Sequence, residues 1–224
     1  NDYKTLNIDF MESVIWAFKR LYDKGLAYEG FRVLPYCWND ETPLSNHELR
    51  MDDDVYKMRQ DQSVTVTFPL SGMTATQMGL GGVRALAWTT TPWTLPANVA
   101  VSVHPELHYD LFETEKGCLI LVRELAEACL KRYGLEGEIV ASCTGDKLDQ
   151  VLLRHPFQDR DVAIICGTHV TVDAGTGLVH TAPAHGVDDY NIGKKYGLPV
   201  NNPVGNDGRF ISTTPDLSVG ELAG

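Results

Sequence analysis

Between residues 7 and 24 the apolar side chains Phe10, Met11, Val14, Ile15, Phe18, Leu21 and Tyr22 recur at intervals of three and four, which gathers them on one face of an α-helix. Lys24 and then Gly25 mark its end. The spacing predicts an amphipathic helix over 7–24 whose apolar stripe needs a covering surface. From 32 to 57 the period dissolves among Pro35, Asn39, Pro43 and the acidic run of Asp52, Asp53 and Asp54. This predicts irregular connecting structure with a solvated charge cluster.

Past Ser63 the period becomes two, with Val64, Val66 and Phe68 alternating with Thr65 and Thr67. Further short runs predict strands at 85–90, 98–103, 109–113, 118–122, 138–143, 162–166, 170–172 and 177–181. Helical patterns cover 123–133 and 187–196, ended by Gly134 and Gly197. Gly79-Leu80-Gly81-Gly82 is too short for a phosphate loop and reads as a flexible connection. Many short strands with few helices favour a closed or strongly coiled sheet over a doubly wound one. The expected fold is therefore α+β, a β-barrel core with peripheral helices. A leading helix and connecting segment would occupy 1–62, and the barrel core with its C-terminal edge 63–224.

Composition narrows the classes of function. The 224 residues are 43% hydrophobic and 22% charged, an ordinary globular balance. Nineteen Lys and Arg against 30 Asp and Glu leave a net charge of -11, so a nucleic-acid partner cannot be held by a bulk basic field. The longest apolar runs, 118–122 and 162–166, are strand-sized, so neither a membrane span nor a signal peptide is expected. The cysteines at 37, 118, 129, 143 and 166 form no C-x-x-C pair and are odd in number. That pattern argues against a zinc ribbon, a thioredoxin motif or a disulfide framework, and for reduced thiols in the cytoplasm.

Two segments could carry chemistry. In Trp88-Thr89-Thr90-Thr91-Pro92-Trp93-Thr94-Leu95-Pro96-Ala97-Asn98, three threonines end an apolar strand and proline cuts it off. Several hydroxyls and amides would then meet in one exposed turn, flanked by tryptophans and able to hold a polyhydroxyl or phosphate group. The structural alternative is a β-propensity run closed by a rigid turn. In Gly175-Thr176-Gly177-Leu178-Val179-His180-Thr181-Ala182-Pro183-Ala184-His185-Gly186-Val187-Asp188-Asp189-Tyr190, a glycine turn, a short strand and a loop lead to a helix start bearing two carboxylates. Either Asp188 or Asp189 alone could be a helix-dipole partner. His180, His185 and Asp189 are metal-ligand types, but their spacing matches no metal motif. No G-x-S-x-G is present, and His104, His108, His155 and His169 are scattered.

These two segments together resemble the editing domain of the isoleucyl-tRNA synthetase family, the connective-peptide insertion of its catalytic domain. The resemblance extends to Leu34-Pro35-Tyr36-Cys37, Thr42-Pro43-Leu44-Ser45-Asn46-His47-Glu48, Tyr196-Gly197-Leu198 and Asn202-Pro203-Val204-Gly205. It covers essentially the whole chain. Related valyl and leucyl editing domains usually carry arginine after the first two threonines, whereas Thr91 is similar to the isoleucyl form. No second cysteine follows Cys37, where Trp38-Asn39-Asp40-Glu41 stand, so the structural zinc site of many family members is not expected. The HIGH and KMSKS signatures of amino-acid activation are missing, so this chain should neither activate amino acids nor charge tRNA.

The resemblance implies post-transfer editing: hydrolysis of the ester that joins valine to the terminal adenosine of the tRNA for isoleucine. Thr89, Thr90, Thr91, Trp93 and Asn98 would surround the adenosine and the ester and fix the attacking water. Asp189 would pair with the α-ammonium, and His180 would line the side-chain pocket. With no protein nucleophile, positioned water aided by a ribose hydroxyl is the expected route, without metal or cofactor. Only the single-stranded 3′ end need enter, held by stacking and hydrogen bonds, while the rest of the synthetase supplies the phosphate contacts. The isolated chain should bind tRNA weakly. Two other classes stand beside this one: a metal-dependent hydrolase using His180, His185 and Asp189, and a non-catalytic domain that binds RNA 3′ ends.

Overall fold

A computed structural model of the chain describes residues 4–50, 56–72, 75–76 and 81–211. The acidic run at 52–54, and Gly79 and Leu80 of the glycine-rich connection, lie outside the described residues. The chain divides into two compact units, Asn1–Arg32 and Val33–Gly224. In the first, α1 spans Ile8–Asp23 between Asn7 at the N-cap and Lys24 at the C-cap, matching the period of its apolar residues. None of its residues is buried, and Val14, Ile15 and Phe18 are exposed.

The second unit begins with a small antiparallel pair, β1 (Tyr36–Cys37) and β2 (Thr42–Pro43), where the sequence predicts only irregular structure. Two residues per strand are too few to leave a period. Cys37 Sγ donates to Asp40 Oδ2 at 3.2 Å. The main body is two sheets. One is five-stranded, built from β3 (Val64–Pro69), β4 (Arg84–Thr89), β6 (His108–Thr114), β7 (Gly117–Val122) and β8 (Gly137–Thr144) in the order β3-β4-β7-β6-β8. The other holds β5 (Ala100–Val103), β9 (Leu152–Arg154), β10 (Asp161–Cys166) and β11 (Leu178–Thr181) in the order β11-β5-β10-β9. The pairs β4–β7 and β5–β10 are parallel, and the other strand pairs are antiparallel.

The closed barrel expected from the strand pattern is therefore corrected to two open sheets among the described residues. A single bridge, Leu70 with Leu153, joins the end of β3 to β9, while β8 and β11 remain sheet edges. Strand content is a local property, but closure requires a continuous register around the ring. Nor do residues 170–172 form a strand. Val170 is a buried anchor in a loop, its N–H turned to Gly167 O at 3.4 Å.

Phe68, Val101, Val103, Val122, Leu153, Ile164 and Leu178 fill one core cluster, each removing roughly 1.5–3 kcal/mol worth of apolar surface from water. Tyr109 crosses the same cluster, and its hydroxyl accepts the His104 N–H and donates to Gly177 O, both at 2.8 Å. Burial pushes that phenol up to about 12, so it stays a donor. Gly177 is required where it stands. Its φ is +76°, and a Cβ would lie 2.2 Å from Val122 Cβ. This close approach seats the segment before β11 against β7.

The helix α2 (Arg123–Tyr133) lays Ala126, Cys129 and Leu130 on Leu86, Phe112, Leu119 and Leu121. Its first residue clasps buried Asp110 through Nε and Nη2 at 2.9 and 2.8 Å, which holds that carboxyl below its ordinary range. The helix α3 (Val187–Tyr196) packs Ile192 on Ala100 and Ile165. All five cysteines are free. No helix among the described residues is long and apolar enough to cross a membrane.

Candidate functional site

A cavity of about 380 Å³ opens where the end of β4, the loop preceding β11, β11 itself and the start of α3 meet. The two segments singled out in the sequence both line it. Thr89 ends β4 and is buried. Its Oγ1 accepts the Thr91 N–H at 3.1 Å and lies 3.4 Å from Thr91 Oγ1. Thr90 and Thr91 are exposed on the rim. The strand has already ended at Thr89 when Pro92 starts a 3₁₀ turn over Pro92–Ala97 with Thr91 at its N-cap, a position where proline costs no hydrogen bond.

His180 also lines the cavity. It sits on β11 at 7% exposure, with Nε2 2.6 Å from Thr94 Oγ1 and Nδ1 3.0 Å from Asn98 Nδ2. The proton positions follow from the partners. Asn98 Nδ2 also donates to Ala100 O at 2.8 Å, which fixes the amide with its NH₂ towards the imidazole. Nδ1 must then accept, Nε2 carries the proton and donates to Thr94 Oγ1, and Thr94 passes its own proton to Thr91 O at 2.8 Å. Burial, with His185 and His155 nearby, lowers the His180 pKa to about 4, so the ring is neutral at physiological pH.

Asp189 lies in the first turn of α3 and lines the cavity. Its Oδ1 accepts the Ala182 N–H at 2.8 Å, and the missing Cβ of Gly186 leaves room for Oδ2, which would stand 2.3 Å from it. Burial raises its pKa, only partly opposed by the hydrogen bond from Ala182. A desolvated carboxylate of this kind gains most from a cationic partner. His185 also lines the cavity, its pKa lowered by burial, and Trp93 meets it edge-on at 5.1 Å.

Of the sequence-predicted residues, Thr89, Thr90, Thr91, His180 and Asp189 share the cavity. Trp93 and Asn98 are not among its lining residues. Trp93 covers His185 from outside, half exposed. The expectation that Asn98 shares an exposed turn with the threonines is corrected: its exposure is 0%, and its amide touches His180 from behind. The 3₁₀ turn carries it inward, a geometry that no hydropathy pattern records. Thr94, His169, Thr171 and Asp173 line the cavity without having been singled out. For Thr94 a signal existed, since it falls three residues after Thr91, one turn of a 3₁₀ helix. For His169 there was none.

The cavity thus combines hydroxyls, three carboxylates at Asp173, Asp188 and Asp189, and a rigid neutral imidazole. Among the described residues no cysteine or serine lines it. Among the described residues no group of three His, Cys, Asp or Glu side chains could hold a metal ion. Both ring nitrogens of His180 are engaged, so its service as a metal ligand would break the Asn98 or the Thr94 hydrogen bond.

Comparison with known proteins adds ancestry to this geometry. The chain is 60% identical over all of its length to an isoleucine–tRNA ligase of Dechloromonas aromatica (strain RCB), of which it covers 24%. It is 45% identical over 97% of its length to an isoleucine–tRNA ligase of Leifsonia xyli subsp. xyli (strain CTCB07), covering 22% of it. The chain therefore spans under a quarter of the length of these relatives. The crystal structure of GlLeuRS-CP1 superposes with a TM-score of 0.50 at 20% identity, over 62% of this chain and 66% of that one, a likeness of fold. Residues 1–154 match the family described as tRNA synthetases class I (I, L, M and V), and the chain belongs to that family.

Proposed function

We propose that this chain is an editing domain that hydrolyses the aminoacyl ester of valyl-tRNA for isoleucine. The observation that carries the reading is one cavity holding an ammonium-receptive carboxylate at Asp189, a hydroxyl rim at Thr89–Thr91 and a locked neutral wall at His180. A second site of this kind answers a physical need. One methylene is worth only about 1–3 kcal/mol in a hydrophobic pocket, a value established on this very pair of amino acids, so selection in one step leaks. A pocket that admits valine and excludes isoleucine removes the error by hydrolysis.

In this mechanism Asp189 binds the α-ammonium of the valyl group and so orients the ester carbonyl. The threonine hydroxyls hold the terminal adenosine and a water, and a ribose hydroxyl assists the attack. The side chain abuts His180 and Thr94. Asn98 acts through His180 instead of touching the ester, and Trp93 acts through His185. Positioning supplies most of the rate, since no side chain forms a covalent intermediate. Residues 1–62 lead into the domain and 63–224 form its editing core. The partner is the 3′ end of the tRNA for isoleucine, with the remainder of a synthetase supplying the phosphate contacts in the cytoplasm.

The test is incubation of the chain with valyl-tRNA and isoleucyl-tRNA for isoleucine, with and without chelator. Slow, chelator-insensitive loss of the valyl ester is expected. Retention of the ester at high protein concentration would leave only a 3′-end binding role, and loss of activity with chelator would assign a metal-dependent hydrolase.

A further inference from the structure

The loop between β9 and β10 reaches the back of the site. His155, 2% exposed, places Nε2 3.1 Å from Leu95 O, and Arg160 Nη2 hydrogen-bonds Asn98 O. The tautomer of His155 follows from its other nitrogen. Nδ1 accepts the Gln158 N–H at 3.0 Å and the Phe157 N–H at 3.4 Å, so Nε2 carries the proton and donates to Leu95 O. Arg160 Nε donates to Gln158 Oε1 at 2.8 Å, so the guanidinium is braced on the same loop before it reaches Asn98. The ring of His155 is itself fixed, edge-on to Phe68 at 6.3 Å and to Phe157 at 4.6 Å.

The two carbonyls held in this way, those of Leu95 and Asn98, bracket the last part of the 3₁₀ turn. Thr94, which receives the His180 Nε2 proton, directly precedes the first of them, and Asn98, which donates to His180 Nδ1, bears the second. Each partner of the imidazole is therefore one peptide or less from a carbonyl that a side chain of the 155–160 loop secures.

We propose that His155 and Arg160 are positioning residues that hold Thr94 and Asn98 in place and thereby set the tautomer and placement of His180. They touch no substrate. Their consequence for valine-against-isoleucine discrimination rests on the proposed editing function, whereas their effect on the His180 ring does not.

Arg160→Met keeps the aliphatic stem and removes every side-chain donor, and Arg160→Lys restores a cationic donor group. In ¹⁵N spectra of the histidine ring nitrogens, wild-type His180 should show Nε2 protonated and Nδ1 bare. Arg160→Met should move both signals towards a mixture of tautomers, and Arg160→Lys should move them back. The ratio of valyl to isoleucyl ester hydrolysis should fall roughly tenfold in Arg160→Met, as expected when a packed wall loosens by a fraction of an ångström. A folded Arg160→Met with His180 signals identical to wild type overturns the proposal. Should that variant not fold, His155→Phe, which keeps a ring between Phe68 and Phe157, puts the same question at the Leu95 carbonyl. Failure of both to fold assigns the pair a purely structural role and also overturns the proposal. If wild type hydrolyses neither ester, the editing function fails, and the tautomer signals still decide this one.

Discussion

His180 Nε2 lies 2.6 Å from Thr94 Oγ1, and the direction of that hydrogen bond is set 3.0 Å away on the far side of the ring, where Asn98 Nδ2 meets Nδ1. The imidazole is thus neutral, oriented and saturated. Its lone pair and its proton are both engaged, and the part that the proposed function leaves to it is shape.

Replacing His180 by Ala should therefore widen the cavity enough for the extra methylene of isoleucine. Hydrolysis of isoleucyl-tRNA should appear while some valyl-tRNA hydrolysis persists. Loss on both substrates would instead fit a metal ligand, and lower stability with an unchanged ratio a structural histidine. Rates on both esters for this one variant separate the three, and an unaltered valine-to-isoleucine ratio would falsify the sieve.

On the proposed editing function, Asp189→Ala and Asp189→Asn should both lower hydrolysis of the valyl ester by about 10²-fold or more, because the charged partner that function assigns to the ammonium is lost from a desolvated site. The Asn variant retains an acceptor for the Ala182 N–H and should keep the melting temperature close to wild type. Activity of Asp189→Asn within a few-fold of wild type would show that the hydrogen bond to Ala182 is what matters.

Asn98 and Thr91 should behave differently under alanine substitution, since one is buried and the other exposed. Asn98→Ala leaves Ala100 O and the His180 ring without their donor and should cost about 1–3 kcal/mol, a fall of several degrees in Tm. Thr91→Ala should impair hydrolysis with Tm nearly unchanged. Calorimetry on both proteins distinguishes this from a shared role in an exposed turn, which would leave both stabilities alone.

Stability should fall as pH drops from 6.5 towards 4. The His180 imidazole titrates at an ordinary 6.5 in the unfolded chain and near 4 in the fold, so within that window only the unfolded chain takes up the proton. The contribution is complete above 6.5 and is lost progressively to 4, by up to roughly 3 kcal/mol. His185, also lowered by burial, acts in the same direction. Asp189 opposes both, because its raised pKa makes the fold favour the protonated carboxyl. Denaturant midpoints across this range should show a shallower slope in His180→Gln than in wild type.

Local patterns in the sequence determined much of this protein. The three-and-four spacing of Phe10 to Tyr22 specified α1, alternation at Val64–Phe68 specified β3, and the glycines at 134 and 197 ended α2 and α3 where the chain turns left-handed. The threonine run and the His180–Asp189 segment were visible as chemistry because unusual residue types crowd within a few positions. Tertiary structure alone decided the rest. Among the described residues the sheets stay open, because closure depends on register between strands remote in sequence and not on how many strands there are. The same holds for Asn98 behind His180, 82 residues away, and for His155 and Arg160 on the carbonyls of Leu95 and Asn98. Periodicity reports which face of an element is apolar. Which side chain meets which across the fold is settled only when the sheets pack and buried polar groups compete for partners.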